Sequence, residues 1–223
     1  MKKLYLVANW KSNKTKAETI SWFTSFAQKK EMFLQHPEKV IVVCPPHLYL
    51  DCAQESVKEF QLPVFIGAQD LSPFGQGAYT GEVYAKEIKE YGDYVIVGHS
   101  ERRQYFGESD ELLTKKVAMA LQEGLTPVFC VQGKETVVPE GVTIVAYEPV
   151  TAIGTGHPDT PEDAEEVAKT IKDTHSTVQV VLYGGSVKPD NVASFTVMEH
   201  IDGVLVGGAS LDPEIFSQLI YNT

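Results

Sequence analysis

Eight short runs rich in β-branched and other apolar residues recur along the 223 residues: Leu4 to Ala8, Val40 to Cys44, Val64 to Ala68, Tyr94 to Gly98, Pro127 to Val131, Thr143 to Tyr147, Val178 to Tyr183 and Gly203 to Gly207. Runs apolar at nearly every position read as strands buried on both faces, as parallel strands are. Between most of them lie helix-like segments: Lys16 to Met32, Leu48 to Phe60, Gly81 to Tyr91, Asp110 to Glu123, Pro161 to His175 and Asp190 to His200, with Pro213 to Tyr221 last. Some carry start and stop signals. Thr160-Pro161-Glu162-Asp163 supplies an N-cap, a first-position proline and first-turn acids, and Ser109 and Gly124 bracket another helix. Alternation of this kind requires right-handed crossovers, and eight units can close into a (β/α)8 barrel. A doubly wound open sheet is the alternative. No G-x-G-x-x-G follows the first strand, as a dinucleotide site in such a sheet would require.

One unit is irregular. Only eleven residues, QGKETVVPEGV, separate Val131 from Thr143, and Gly133, Pro139 and Gly141 lie among them. They cannot hold a normal crossover helix, so the fifth helical unit reads as shortened or missing. No composition shift marks a linker, and residues 1–223 read as a single barrel domain.

Charge bounds the partners. Thirty Asp and Glu against nineteen Lys and Arg give a formal net charge of -11. Nucleic acid and anionic membranes both need a basic surface, so neither is an expected partner. Any anionic ligand must be attracted locally. The apolar run after Lys2 and Lys3 is too short for a signal peptide and nothing approaches a membrane span, so the expectation is a cytoplasmic protein. Cys44, Cys52 and Cys130 have neither paired nor metal-ligand spacing and read as buried free thiols.

In a barrel of this kind chemistry gathers at the carboxyl ends of the strands. There the chain places Asn9-Trp10-Lys11, the run from Gly98 and His99 through Arg103, Glu148, Gly184-Gly185-Ser186 and Gly207-Gly208-Ala209-Ser210. Alone, each has a plain reading: a solvated lysine, a histidine capping a loop, glycines that turn the chain. Together, a cation, an imidazole, a carboxylate and two Gly-rich nests around one mouth point to a small phosphorylated ligand and proton transfer beside a carbonyl. Glu148 is the candidate base, and His99 and Lys11 the candidate oxyanion stabilisers. Pro149 and the glycines at 154 and 156 make the segment after Glu148 look like a rigid flap between hinges. This chemistry calls for no metal and no cofactor.

Six ordered motifs resemble those of the triosephosphate isomerase family over nearly the whole chain: ANWK from Ala8, GAQDLSPFGQGAYTGE from Gly67, VGHSERR from Val97, YEPVTAIGTG from Tyr147, YGGSV from Tyr183 and VGGASL from Val206. The resemblance implies a TIM barrel that interconverts dihydroxyacetone phosphate and glyceraldehyde 3-phosphate through an enediolate, as in glycolysis and gluconeogenesis. It assigns Glu148 as proton shuttle, His99, Lys11 and Asn9 to the substrate oxygens, and Glu101 to the placing of Lys11. Ser100 and Cys130 match supporting positions, and the backbone at Gly154, Ser186, Gly207 and Gly208 matches the phosphate site. It further implies that Asp70 to Gly77 inserts into a second copy, giving a homodimer, with a tetramer open because the shortened units are similar to those of compact archaeal members. Three departures stand out: Thr151 replaces the family's flap Trp, Gln132-Gly133 alters the turn after Cys130, and His157 stands where Lys is usual. A Schiff-base aldolase would want a lysine where Glu148 stands. A barrel that binds phosphometabolites without catalysis remains the other alternative.

Overall fold

A computed structural model of the chain describes residues 2–149 and 159–223. The strands β1 (Leu4–Asn9), β2 (Lys39–Cys44), β3 (Val64–Ala68), β4 (Tyr94–Val97), β5 (Thr126–Val131), β6 (Ile144–Tyr147), β7 (Val180–Tyr183) and β8 (Gly203–Val206) pair in chain order into one closed barrel. All pairings are parallel, and β8 returns to β1 with Ala8 opposite Val206. The open-sheet alternative is therefore set aside.

Helices α1 (Lys16–Ala27), α2 (Lys30–Leu34), α3 (Leu50–Phe60), α4 (Ala85–Lys89), α5 (Ser100–Phe106), α6 (Asp110–Gln122), α7 (Pro161–Thr174), α8 (Val192–Thr196) and α9 (Pro213–Tyr221) lie between and after the strands. No helix among the described residues is long and apolar enough to cross a membrane. Thr15 and Glu18 form a reciprocal capping box on α1, and Thr160 caps α7 ahead of Pro161, the latter as its sequence signal requires.

Three helices differ from their sequence reading. Lys16 to Met32 is interrupted at Gln28 and Lys29. Gly81 to Tyr91 contracts to α4, because Gly81 sits at φ 92° and Tyr84 takes the extended N-cap position, donating its amide to the Glu87 carboxylate. Asp190 to His200 contracts to α8, because Asn191 folds the chain before it into a turn by accepting from the amide of Lys188. The fifth unit contains no helix between β5 and β6.

Two apolar layers hold the barrel. The inner one is built from Val7, Val42, Cys44, Ile96, Val128, Cys130, Ala146, Leu182 and Leu205, facing inward from the strands. The outer one packs helices on strands and is dense in aromatics: Trp22 stacks on Phe26 at 4.6 Å between ring centroids, and Phe26 on Phe33 at 4.4 Å. Because side chains alternate along a strand, the residue two beyond an inward one faces inward again, one layer nearer the mouth. Asn9 follows Val7 by this rule, Glu148 follows Ala146, Gly184 follows Leu182 and Gly207 follows Leu205. The site is the barrel's own next layer.

Candidate active site

Glu148 leaves β6 with only 2% of its surface exposed. Its amide donates to Val131 O at 2.8 Å, which continues the β5–β6 ladder by one rung and fixes where the side chain starts. The carboxylate is held at both oxygens. Oε2 accepts from the Ser100 amide at 2.8 Å, and Oε1 lies 3.0 Å from Nε2 of His99. The amide of Ser100, at the first turn of α5, does the holding, while its buried hydroxyl has no hydrogen-bond partner among the described residues.

The tautomer of His99 follows from its other nitrogen. Nδ1 accepts from the Glu101 amide at 3.2 Å, so the ring's proton belongs on Nε2 and the imidazole is neutral. His99 is itself the N-cap of α5, so the ring accepts from that helix's own first-turn amide. A neutral Nε2–H donor thus sits 3.0 Å from a carboxylate oxygen, in a place only 6% exposed. Cys130 lies against the same carboxylate. Burial first, and then the Glu148 charge, push its thiol well above the ordinary range, so it is a neutral neighbour.

Lys11 reaches the mouth from the end of β1. Its Nζ pairs with Glu101 Oε1 at 2.5 Å, and its amide donates to Asn9 Oδ1 at 3.0 Å. Gly207 lies beside the lysine stem, where a Cβ would stand in ordinary contact with Lys11 Cε at 3.4 Å. Lys11 occupies the left-handed region at φ 53°, which is unfavourable for a residue with a Cβ. Gln69 holds it there: Nε2 donates to Lys11 O at 2.9 Å and to Cys44 O at 3.0 Å. Sequence reasoning did not single out Gln69. It follows directly on the last residue of β3, but it acts through carbonyls far along the chain, which local sequence does not mark.

Asn9, Lys11, His99, Gly184 to Ser186 and Gly207 to Ala209 line one cavity of about 730 Å³. Gly208 opens a single 3-10 turn, Gly208–Ser210, whose first amides have no acceptor within it and are suited to an anion. Across from it the loop after β7 is pinned by Asn191, which donates to Ser186 O at 3.0 Å. Glycine is required at 185, where a Cβ would fall 2.2 Å from the Tyr183 hydroxyl oxygen. Glu148 is not among the residues lining the cavity, because Ser100 and His99 hold its carboxylate aside. The site predicted from sequence is otherwise brought together in one place. Gly154 lies outside the described residues, as do Thr151, Gly156 and His157.

A closed barrel of eight parallel strands with such side chains at its carboxyl mouth is the TIM-barrel enzyme architecture. Within that architecture the chain belongs to the triosephosphate isomerase family, whose model matches residues 4–223. Proteins named triosephosphate isomerase from Aquifex aeolicus and Dictyoglomus turgidum are each 40% identical to it, over 97% and 99% of this chain and 98% and 99% of their own. The protein of that name from Vibrio cholerae is 38% identical over 98% of this chain and 96% of its own.

Proposed function

We propose that the chain interconverts dihydroxyacetone phosphate and glyceraldehyde 3-phosphate by intramolecular proton transfer, with Glu148 as the base. The observation that carries this reading is the pair of Glu148 Oε1 and His99 Nε2 at 3.0 Å, with Nδ1 of the same ring already occupied. Once substrate enters, Glu148 must leave Ser100 and His99 and turn to the cavity. It then removes a proton from the carbon beside the carbonyl, and the electron pair moves onto the carbonyl oxygen to give an enediolate. His99, freed of Glu148, donates Nε2–H to that oxygen, and the Lys11 ammonium stabilises its charge. A proton passes from the neighbouring hydroxyl to that oxygen, and as Glu148 returns its own proton to the former carbonyl carbon, the neighbouring oxygen becomes the new carbonyl.

Asn9 orders the lysine backbone, and Glu101 aims its side chain. The amides at Ser186, Gly207 and Gly208 hold the phosphate, with Gly154 assigned to the same role by resemblance. This local arrangement draws in an anion despite the net charge of -11. Residues 1–223 act as one domain in this reading. Three free thiols suit a reducing compartment, which supports a cytoplasmic place.

The same reading makes the protein a homodimer through Asp70 to Gly77, with a tetramer as a larger possibility. Asp70 is anchored by Lys116 at 2.6 Å and Arg102 at 2.8 Å, while Phe74 stacks on Tyr79 at 4.2 Å, both over 40% exposed. An exposed aromatic stack on an anchored loop favours a protein contact. The activity is tested by converting glyceraldehyde 3-phosphate in a coupled assay and following deuterium uptake from solvent at the exchanged carbon. Turnover with exchange is the expected result. Absence of both would overturn the reading.

A further inference from the structure

Two tyrosines at the ends of adjacent strands converge on one residue outside the barrel wall. Tyr147, the last residue of β6, donates its hydroxyl to Asp159 Oδ2 at 2.9 Å. Tyr183, the last residue of β7, accepts from the Asp159 amide at 2.9 Å. Asp159 is itself fixed from the other side, because Thr160 after it caps α7 through the Asp163 amide at 3.1 Å. Both phenols stay protonated. Burial and then Asp159 raise Tyr147 well above its ordinary range, and burial raises Tyr183 to about 12.

What these tyrosines adjoin gives the contact its meaning. Tyr147 directly precedes Glu148, and Tyr183 directly precedes Gly184 and Gly185. The last backbone rung between the strands is Gly184 N to Tyr147 O at 2.7 Å, just where Glu148 packs on Gly184. Beyond that rung β6 and β7 end, and besides the tilted contact of the two rings at 6.4 Å the Tyr147–Asp159–Tyr183 bridge is the next hydrogen-bonded tie between them among the described residues. The Tyr183 hydroxyl also lies against Gly185, in the loop that lines the anion nest.

We infer that Asp159 is a positioning residue for the proposed reaction: through Tyr147 and Tyr183 it sets the separation between the base Glu148 and the phosphate loop Gly184 to Ser186. Its carboxylate provides the half of the bridge that an alanine could not. The inference rests on the proposed activity, but the two fail separately, because wild-type turnover reports on the activity and ratios of variant to wild type report on Asp159.

The test compares Asp159→Ala, Asp159→Asn, Tyr147→Phe and the Asp159→Ala/Tyr147→Phe double variant on glyceraldehyde 3-phosphate and on glyceraldehyde, which lacks the phosphate. A bridge between base and anion nest affects only the substrate that uses both. The expected loss in kcat/KM for the phosphate ester is roughly tenfold for Asp159→Ala and Tyr147→Phe, below the hundredfold that a 1 Å misplacement can cost. The double variant should be no worse than either single one, Asp159→Asn should recover most of the loss through its amide oxygen, and exchange of glyceraldehyde should stay within about twofold of wild type. Equal losses on both substrates, additive losses in the double variant, or full activity in Asp159→Ala would each overturn the inference.

Discussion

Replacing Gln69 with alanine is the sharpest test of how Lys11 is presented. Gln69 donates to two carbonyls, but their losses differ. Cys44 O keeps a second partner, the Trp10 amide at 3.2 Å, whereas Lys11 O has no other donor among the described residues. Removing a donor from a half-buried carbonyl costs about 1–3 kcal/mol, and the lower end applies because water can reach Lys11. The left-handed conformation at φ 53° costs roughly 1–2 kcal/mol on its own. The two quantities are of one size, so without Gln69 the backbone at Lys11 relaxes and the ammonium leaves the place where Glu101 holds it. About 1.4 kcal/mol of lost transition-state stabilisation is tenfold in rate. Steady-state kinetics of Gln69→Ala should therefore show kcat/KM lowered about tenfold, with a thermal midpoint lowered by a few degrees. Gln69→Glu, which cannot donate to either carbonyl at neutral pH, should be at least as impaired. Wild-type kcat/KM in both variants would refute the claim that Gln69 holds the lysine in place.

Three further outcomes follow from burial and charge. The thiols of Cys44 and Cys130 are buried and raised far above their ordinary range, and Cys52 is raised by burial too, so a disulfide reagent at pH 8 should label none of them until the protein is unfolded; stoichiometric labelling of the native protein would contradict this. Burial raises the Asp70 carboxyl, against the pull of Lys116 and Arg102, so the folded state takes up a proton more readily than the unfolded chain. Its contribution to stability is then full below the unfolded carboxyl pKa of about 3.9 and lost as pH rises through the raised value, so Asp70→Asn should lose ground to wild type as pH is lowered from 7 towards 4. Denaturant midpoints with the opposite slope would count against it. Light scattering at micromolar concentration should give at least twice the chain mass, and Phe74→Glu should shift it towards the monomer; a monomeric wild type would remove the dimer.

The barrel was legible because it is written in a pattern that survives local error. Eight apolar runs remain eight even where boundaries move by a residue or two, as when the run from Val178 begins pairing only at Val180. Helix lengths were less legible, because contraction at Gly81 and Asn191 depends on backbone angles and side-chain turns that periodicity does not encode. Glu148, His99 and Lys11 could be found because chemistry restricts residue type at strand ends. Gln69 and Asp159 could not be found in that way. Each acts by hydrogen bonds to groups far along the chain, Gln69 to a carbonyl 58 residues away and Asp159 to a phenol 24 away, and nothing in local sequence marks such a bond. The converse also occurred: Ser100 was picked out by its resemblance, yet its amide, which any residue would supply, is what holds the carboxylate.

The central claim is that Glu148 carries the proton, and Glu148→Gln tests it most directly. The amide has nearly the same shape as the carboxylate it replaces, but cannot take up a proton from carbon. The measurement is kcat for glyceraldehyde 3-phosphate in wild type and variant, together with solvent deuterium incorporation in both. We predict a fall of roughly 10³-fold in kcat, within the range general acid–base catalysis supplies, and loss of deuterium exchange to match. Equal rates in the two proteins would contradict the account.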